Sequence, residues 1–324
     1  MELAEVVSFV PMGEPNVLPK DHGGFLLKNP FTLPADIPVF AVASGVIIVA
    51  GHGTRYLEHP SVPPDLQGTP YDDYHLILQI SKSARVNYGH ISALNFGILT
   101  ELEDLPADEM GRNVEVEVKA GDILGWVRPH GAMDFSVTDF SINLNLLNPS
   151  RYPDNHPYSA DIYNYLKEPL LSDMVVIAAR PDPPYGGKID YDVNGRIIGN
   201  WFLTGTTSYI QWSHQLAVVY DHLHPDRIII SDGSPMNDVP GIEGPGAPDV
   251  WWVKGNAPAP ENIGVEDGMI QYTLINSAMI DDDLKVVEGV ILVEMINENS
   301  IRLEVFKDSV SEDHFTSEAR IYER

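Results

Sequence analysis

The sequence predicts an all-β protein, mainly antiparallel, in two domains. Apolar residues make up 44% of the chain and gather in short β-branched runs bounded by glycine and proline, not at helical spacing. A length of 324 residues exceeds what one core usually organises. A stretch rich in proline, from Pro149 to Pro184, separates two strand-rich halves. This reading gives a first domain over 1–148, a connecting segment over 149–185 and a second domain over 186–324.

In the first half, Pro38 to Gly51 reads as two strands joined by a turn at Ser44-Gly45, because β-branched residues dominate and Pro and Gly flank the run. Alternation then predicts strands over Tyr74–Ile80 and Ala84–His90. Asn95 to Arg112 is acidic and helix-compatible. Val114–Val118, Ile123–Val127 and Ala132–Val137 follow as strands, the last with Met133, Phe135 and Val137 on one face and Ala132, Asp134 and Ser136 on the other. The connecting segment has room for one short helix near Asp161–Leu166. The second half opens with Lys188–Val193, Asn194-Gly195 and Arg196–Leu203, the pattern of a hairpin with a type I′ turn. Further strands are expected over 209–220, 227–231, 250–254, 269–275, 287–296, 300–306 and 317–322, about the number of a closed barrel or sandwich.

The formal net charge is −27. A nucleic-acid partner is not expected, since phosphate must be met by clustered Lys and Arg and no basic patch is present. No apolar run reaches the roughly 18–20 residues of a membrane-spanning helix. The opening segment, Met1 to Pro19, lacks the basic start and apolar stretch of a signal peptide. The chain has no Cys, so neither disulfides nor thiolate metal sites enter.

Four ordered segments carry a family resemblance: Pro38-Val39-Phe40-Ala41-Val42-Ala43-Ser44-Gly45-Val46-Ile47; Tyr88-Gly89-His90; Val118 through Gly121-Asp122 to Gly125; and Ala132-Met133-Asp134-Phe135. Together they resemble the lysostaphin/LytM-type zinc endopeptidases, with their duplicated hybrid motif, over roughly residues 15–140. In that family a Tyr-x-His strand carries a catalytic histidine, and zinc is bound by a first His, an Asp a few residues on, and the second His of His-x-His. The resemblance places His90 at the catalytic position, His22 at the first metal ligand and Asp134 at the last. Leu26 stands where the Asp is expected, Ala132 replaces the other His of His-x-His, and Asp21 is the nearest substitute carboxylate. Catalytic zinc needs about three protein ligands, and His22 with Asp134 supplies two. His130 lies on the side of Asp134 but roughly 13 Å along a regular strand, so it joins only if the chain bends at Gly131.

Three short motifs have bland readings. His222-Leu223-His224 precedes Pro225 and reads as a polar turn. Asp190-x-Asp192-x-Asn194-Gly195 imitates the start of an EF-hand but has Trp201 where the bidentate Glu belongs, and Asp281-Asp282-Asp283 reads as a solvated acidic turn. Gly199-Asn200-Trp201 resembles the Gly-x-Trp of calycin barrels such as lipocalins, in which a late Arg packs over the Trp; Arg320 is the expected partner. A barrel of that kind would place Trp201, Trp212, Trp251 and Trp252 around a ligand cavity.

The sequence therefore points to a non-catalytic or weakly catalytic, peptidase-like domain joined to a calycin-like β-barrel. Its expected ligand is a peptide, a glycan or a small molecule, with an extracytoplasmic setting implied by the family resemblance alone. No tightly bound cofactor is expected, zinc being the metal this pattern would admit. The competing readings are a divergent zinc metallopeptidase and a purely structural protein.

Overall fold

The computed structural model describes every residue except 103–104, 208, 235–247, 256 and 277–285. The acidic run Asp281–Asp283 thus lies outside the described residues. The fold is mainly antiparallel β, with sheets in the N-terminal part and a closed eight-stranded barrel in the C-terminal part. Among the described residues no helix is long and apolar enough to cross a membrane. Contacts divide the chain into two units. The first comprises Met1–Met12, Asp21–Asn143 and Tyr158–Gly187; the second comprises Gly13–Lys20, Leu144–Pro157 and Lys188–Arg324. The proline-rich stretch is not a separate body: its start belongs to the barrel unit and its remainder to the first unit.

In the first unit, seven strands lie side by side in the order Val6–Val10, Gly23–Leu27, Ala132–Asp139, Ala84–Ile91, Pro70–Gln79, Gly45–Tyr56 and Glu109–Val118, and Ser159–Ala160 pairs with Ala132–Asp139 off this path. A smaller sheet joins Ile37–Phe40, Ile123–Val127 and Ala93–Leu94. The expected pair around Ser44-Gly45 is therefore two strands in different sheets. Both sheets feed one core, in which Leu76, Leu78, Tyr88, Met133, Phe135 and Val137 of the large sheet meet Ile37, Val39, Leu124 and Val127 of the small one. Phe25 and Phe135 pack edge-on at 5.7 Å, and Tyr88 meets Phe135 at 5.4 Å. Strand alternation sends Asp134 to the opposite, half-buried face. The helix Phe96–Glu101 is capped by Asn95, whose side chain accepts the Gly97 N–H; the segment near Asp161–Leu166 is a 3₁₀ turn, Ile162–Tyr165; and a helix, Leu170–Val176, is not evident from the sequence pattern.

The barrel runs Gly199–Leu203, Gln215–Tyr220, Ile228–Asp232, Asp249–Val253, Met269–Asn276, Val287–Asn297, Ser300–Lys307 and Arg320–Glu323, each strand pairing with the next. The last returns to the first through Phe202↔Glu323 and Leu203↔Tyr322. Every second residue points inward, so Trp201, Leu216, Val218, Ile230, Trp251, Tyr272, Ile291, Leu303 and Tyr322 make one cluster. Several strands read as unbroken apolar runs because their outer face is buried too: Phe202, Ala217, Val219, Ile229 and Trp252 lie under Leu18, Leu146, Tyr152 and Tyr191.

Three expectations about the second half are corrected. Lys188–Val193 is not a strand and pairs with no hairpin partner, and pairing begins only at Gly199. The cause is Asp192, whose buried carboxylate accepts the N–H groups of Asn200 at 2.8 Å and Leu147 at 3.0 Å and so competes with ladder formation. That role also removes it from any calcium loop. Trp201 is fully buried, with its indole N–H donated to the Ile197 carbonyl at 2.8 Å, but the guanidinium above its ring, at 3.8 Å, belongs to Arg324 and not to Arg320. Finally, the four tryptophans do not surround one cavity. Trp201 and Trp251 are inside, Trp252 is on the outer face, and Trp212 sits half-buried in the 3₁₀ turn Trp212–His214. The His222-Leu223-His224 segment is a turn closed by Asp221, which accepts the N–H groups of Leu223 and His224.

Candidate functional site

The groove lies on the half-buried face of the large sheet, where glycine lets polar side chains converge. Asp134 pairs across the ladder with Gly24. On the other side Gly89 has no side chain to obstruct it: a Cβ there would sit 3.0 Å from the Asp134 Cβ. His90 follows in a bulge, since Tyr74↔Ile91 and Leu76↔Tyr88 leave Gly89 and His90 facing His75 alone. The bulge puts His90 at φ 62, a conformation that costs energy for a residue with a side chain. Tyr88 anchors it from the core, its hydroxyl accepting the Val42 N–H at 3.1 Å.

The bulge turns the His90 ring between two carboxylates. Nδ1 lies 3.1 Å from Asp73 Oδ1, and Nε2 lies 3.2 Å from Asp134 Oδ2. His22 approaches the same Asp134 oxygen with Nε2 at 3.6 Å, while its Nδ1 is 2.8 Å from Asp21. His22, His90 and Asp134, all candidates from the sequence, are thus neighbours, and Asp21 binds the His22 ring instead of standing in for the missing aspartate. Arg55 donates to Asp73 from the adjacent strand. His130 stacks on His90 with ring centroids 3.8 Å apart, and the Tyr71 hydroxyl meets His130 Nδ1 at 2.9 Å. The chain does bend at Gly131, at φ 83, which brings His130 into the cluster.

Electrostatics fix the protonation states. Burial alone would lower the pKa of His90, but hydrogen bonds to Asp134 and Asp73 outweigh it and raise it to about 9. Burial would raise that of Asp134, yet the His90 hydrogen bond and charge hold it at about 2; Asp73 is lowered for the same reason, with Arg55 adding to it. Burial, with the charges of His90 and Arg55, lowers His130 to about 4. His75, also lowered by burial, faces the groove beside Asp73. At neutral pH the centre is therefore one imidazolium held by two carboxylates, with a neutral imidazole stacked upon it.

A cleft of about 400 Å³ opens over this centre, lined by His52, Arg55, Asp73, His75, His90 and Asp134 among others. A second of similar size lies across Arg55 and His130, beside Phe31, Tyr56 and Tyr71. Asp73, His75, Arg55 and Tyr71 are absent from the sequence-derived site. For Tyr71, Asp73 and His75 the signal was their period-two spacing, which places all three on one face of the Pro70–Gln79 strand, whereas Arg55 stands on the neighbouring strand with no such mark.

The residues present do not fit the zinc site that the family resemblance implies. Leu26 and Ala132, standing where an aspartate and a histidine would be required, are direct cross-strand partners two pairs along from Gly24↔Asp134. Neither carries a donor atom. Among the described residues no three His, Asp or Glu side chains are arranged to hold a metal ion.

No family profile matches the chain, and no curated protein does. Among solved structures the chain is similar to a mutant catalytic domain of the prophage-encoded M23 protein EnpA from Enterococcus faecalis. The identity is 15%, over 41% of this chain and 81% of that one, with a TM-score of 0.23. A likeness of that size carries no argument about fold or activity, and the peptidase resemblance rests on the residues themselves.

Proposed function

We propose that the first unit is a binding module that uses a peptidase-like groove to hold a peptide, a glycan or a small ligand without cleaving it. The observation that carries this reading is the placement of His90, with each ring nitrogen against a carboxylate of the protein. A general base must be unprotonated at working pH and within reach of the substrate proton. His90 is protonated below about pH 9, and both of its ring nitrogens are engaged by carboxylates of the protein. The apolar Leu26–Ala132 pair supports the same reading, because it removes the third ligand that zinc needs to bind firmly. In the second unit, Trp201 and Trp251 act as core and not as ligand contacts.

One observation favours the competing zinc-hydrolase reading: two imidazoles approach a single oxygen of Asp134. The two readings separate by dialysis against zinc, metal analysis and a peptide-hydrolysis assay on the native protein, His22→Ala and Asp134→Ala. The binding reading expects no stoichiometric zinc and no hydrolysis. One tightly held zinc, lost in both variants together with hydrolysis, would overturn it.

A further inference from the structure

The second cleft, across Arg55 and His130 from the first, has its own architecture. The segment between the Gly45–Tyr56 and Pro70–Gln79 strands folds over a small core of Leu57, Val62 and Tyr71, with Phe31 packed against it. Phe31 stacks on His59 with centroids 4.8 Å apart and planes 15° from parallel. It holds that position at φ 61, close to Asn29 at φ 50, so two residues with side chains adopt the left-handed region within one short loop. Strain of this kind persists only where packing enforces it, and it clusters at ligand clamps. The packing here is Gly131, whose absent side chain leaves room for Pro30 and the edge of the Phe31 ring.

Half of the lining residues carry aromatic rings, Phe31, Tyr56, His59, Tyr71 and His130, with Leu57, Val62 and Pro129 between them, while Glu58 adds a carboxylate with no ion-pair partner among the described residues. The cationic groups nearby are quenched. Arg55 is paired with Asp73, burial keeps His130 neutral, and His59 Nδ1 accepts the Ser61 N–H. Aromatic rings beside a carboxylate attract positive charge, and the net charge of −27 draws cations toward the protein as a whole.

We propose that this pocket is a binding site for an organic cation, a quaternary or alkylated ammonium group held among the rings of Phe31, Tyr56 and Tyr71 with Glu58 as counter-ion. The inference rests on the binding reading given above and names the chemistry of a ligand. Zinc-dependent hydrolysis would defeat that reading and leave the cation pocket standing, whereas failure to bind a cation would defeat the pocket alone.

The test is titration of the full chain with choline and with its neutral isostere 3,3-dimethyl-1-butanol, at physiological salt so that diffuse attraction is screened. Calorimetry or NMR should show saturable choline binding and no comparable binding of the alcohol. Tyr56 is 56% exposed, so Tyr56→Ala leaves the fold intact and should weaken choline binding about 3- to 30-fold, the range of one ring–cation contact. Glu58→Gln should weaken it too, without changing the response to the alcohol. Equal binding of both probes would make the pocket merely apolar and overturn the proposal, as would choline binding that Tyr56→Ala and Glu58→Gln leave unchanged, or none at all.

Discussion

His90 gathers the consequences of a single backbone choice. In a regular strand His90, two residues after the core-facing Tyr88, would share its face; the bulge at Gly89-His90 turns it instead into the groove, between Asp73 and Asp134. Its pKa rises from 6.5 to about 9 on folding, so its stabilising contribution is full below about pH 6.5 and is lost as pH climbs through 9. Asp134 falls from 3.8 to about 2, so its contribution is present above 3.8 and is lost as pH drops through 2. Between these limits, near pH 4 to 6.5, the groove is at its most stable. We expect native protein to lose roughly 2–3 kcal/mol from this site between pH 6 and pH 10, and His90→Gln to lose much less over the same range. Urea unfolding across that range checks it; parallel curves for the two proteins would contradict it. His90 and Asp134 were legible in the sequence because they stand inside ordered family-like segments. Asp73 was marked only by its place in the alternating run Tyr71, Asp73, His75, and nothing in the sequence around Arg55 marks it as a partner of Asp73.

Among the elements, alternation revealed most strands, and it failed where a side chain captured the backbone. Lys188 to Leu203 has every mark of a hairpin, yet the Asp192 carboxylate takes up backbone N–H groups that a ladder would use. The Gly131 bend was legible only as a condition on His130, since a sequence does not report the sign of φ. Gly131→Ala combines a left-handed φ with a Cβ 2.8 Å from Pro30, and we expect it to cost about 1–3 kcal/mol. It should also separate His130 from His90, visible as a changed His130 shift by NMR. A normal His130 environment in that variant would show the loop to be adaptable. The Leu26↔Ala132 pair yields a converse expectation. Leu26→Asp combined with Asp134→His supplies a three-donor set with His22, and it should hold about one zinc, more tightly than the native protein. Equal zinc content in the two proteins would place the native deficit elsewhere.

For the whole molecule, the strand count and turn spacing were enough to expect a closed barrel, and the barrel is there. What the sequence concealed is how much chain its outer face needs. Leu18, Leu146 and Tyr152 lie far from the barrel strands in sequence, yet they cover Phe202, Val219 and Trp252. A fragment of residues 144–324 should therefore melt cooperatively and at higher temperature than one of residues 186–324, which exposes that apolar face. Equal melting temperatures would show the cover to be dispensable. Trp201→Ala, which empties the barrel floor beneath Arg324, should cost about 3–5 kcal/mol in the longer fragment. A loss below about 1 kcal/mol would mean that the floor collapses to fill the space.

The central claim is that His90 is a doubly bonded imidazolium and is not free to act as a base. Imidazole ¹⁵N NMR of the full chain across pH 5 to 10 tests it most directly. The account predicts protons on both His90 nitrogens at pH 7, a midpoint near 9, and a lower midpoint in Asp73→Asn and Asp134→Asn. A neutral His90 ring at pH 7, with one nitrogen bare, would contradict it.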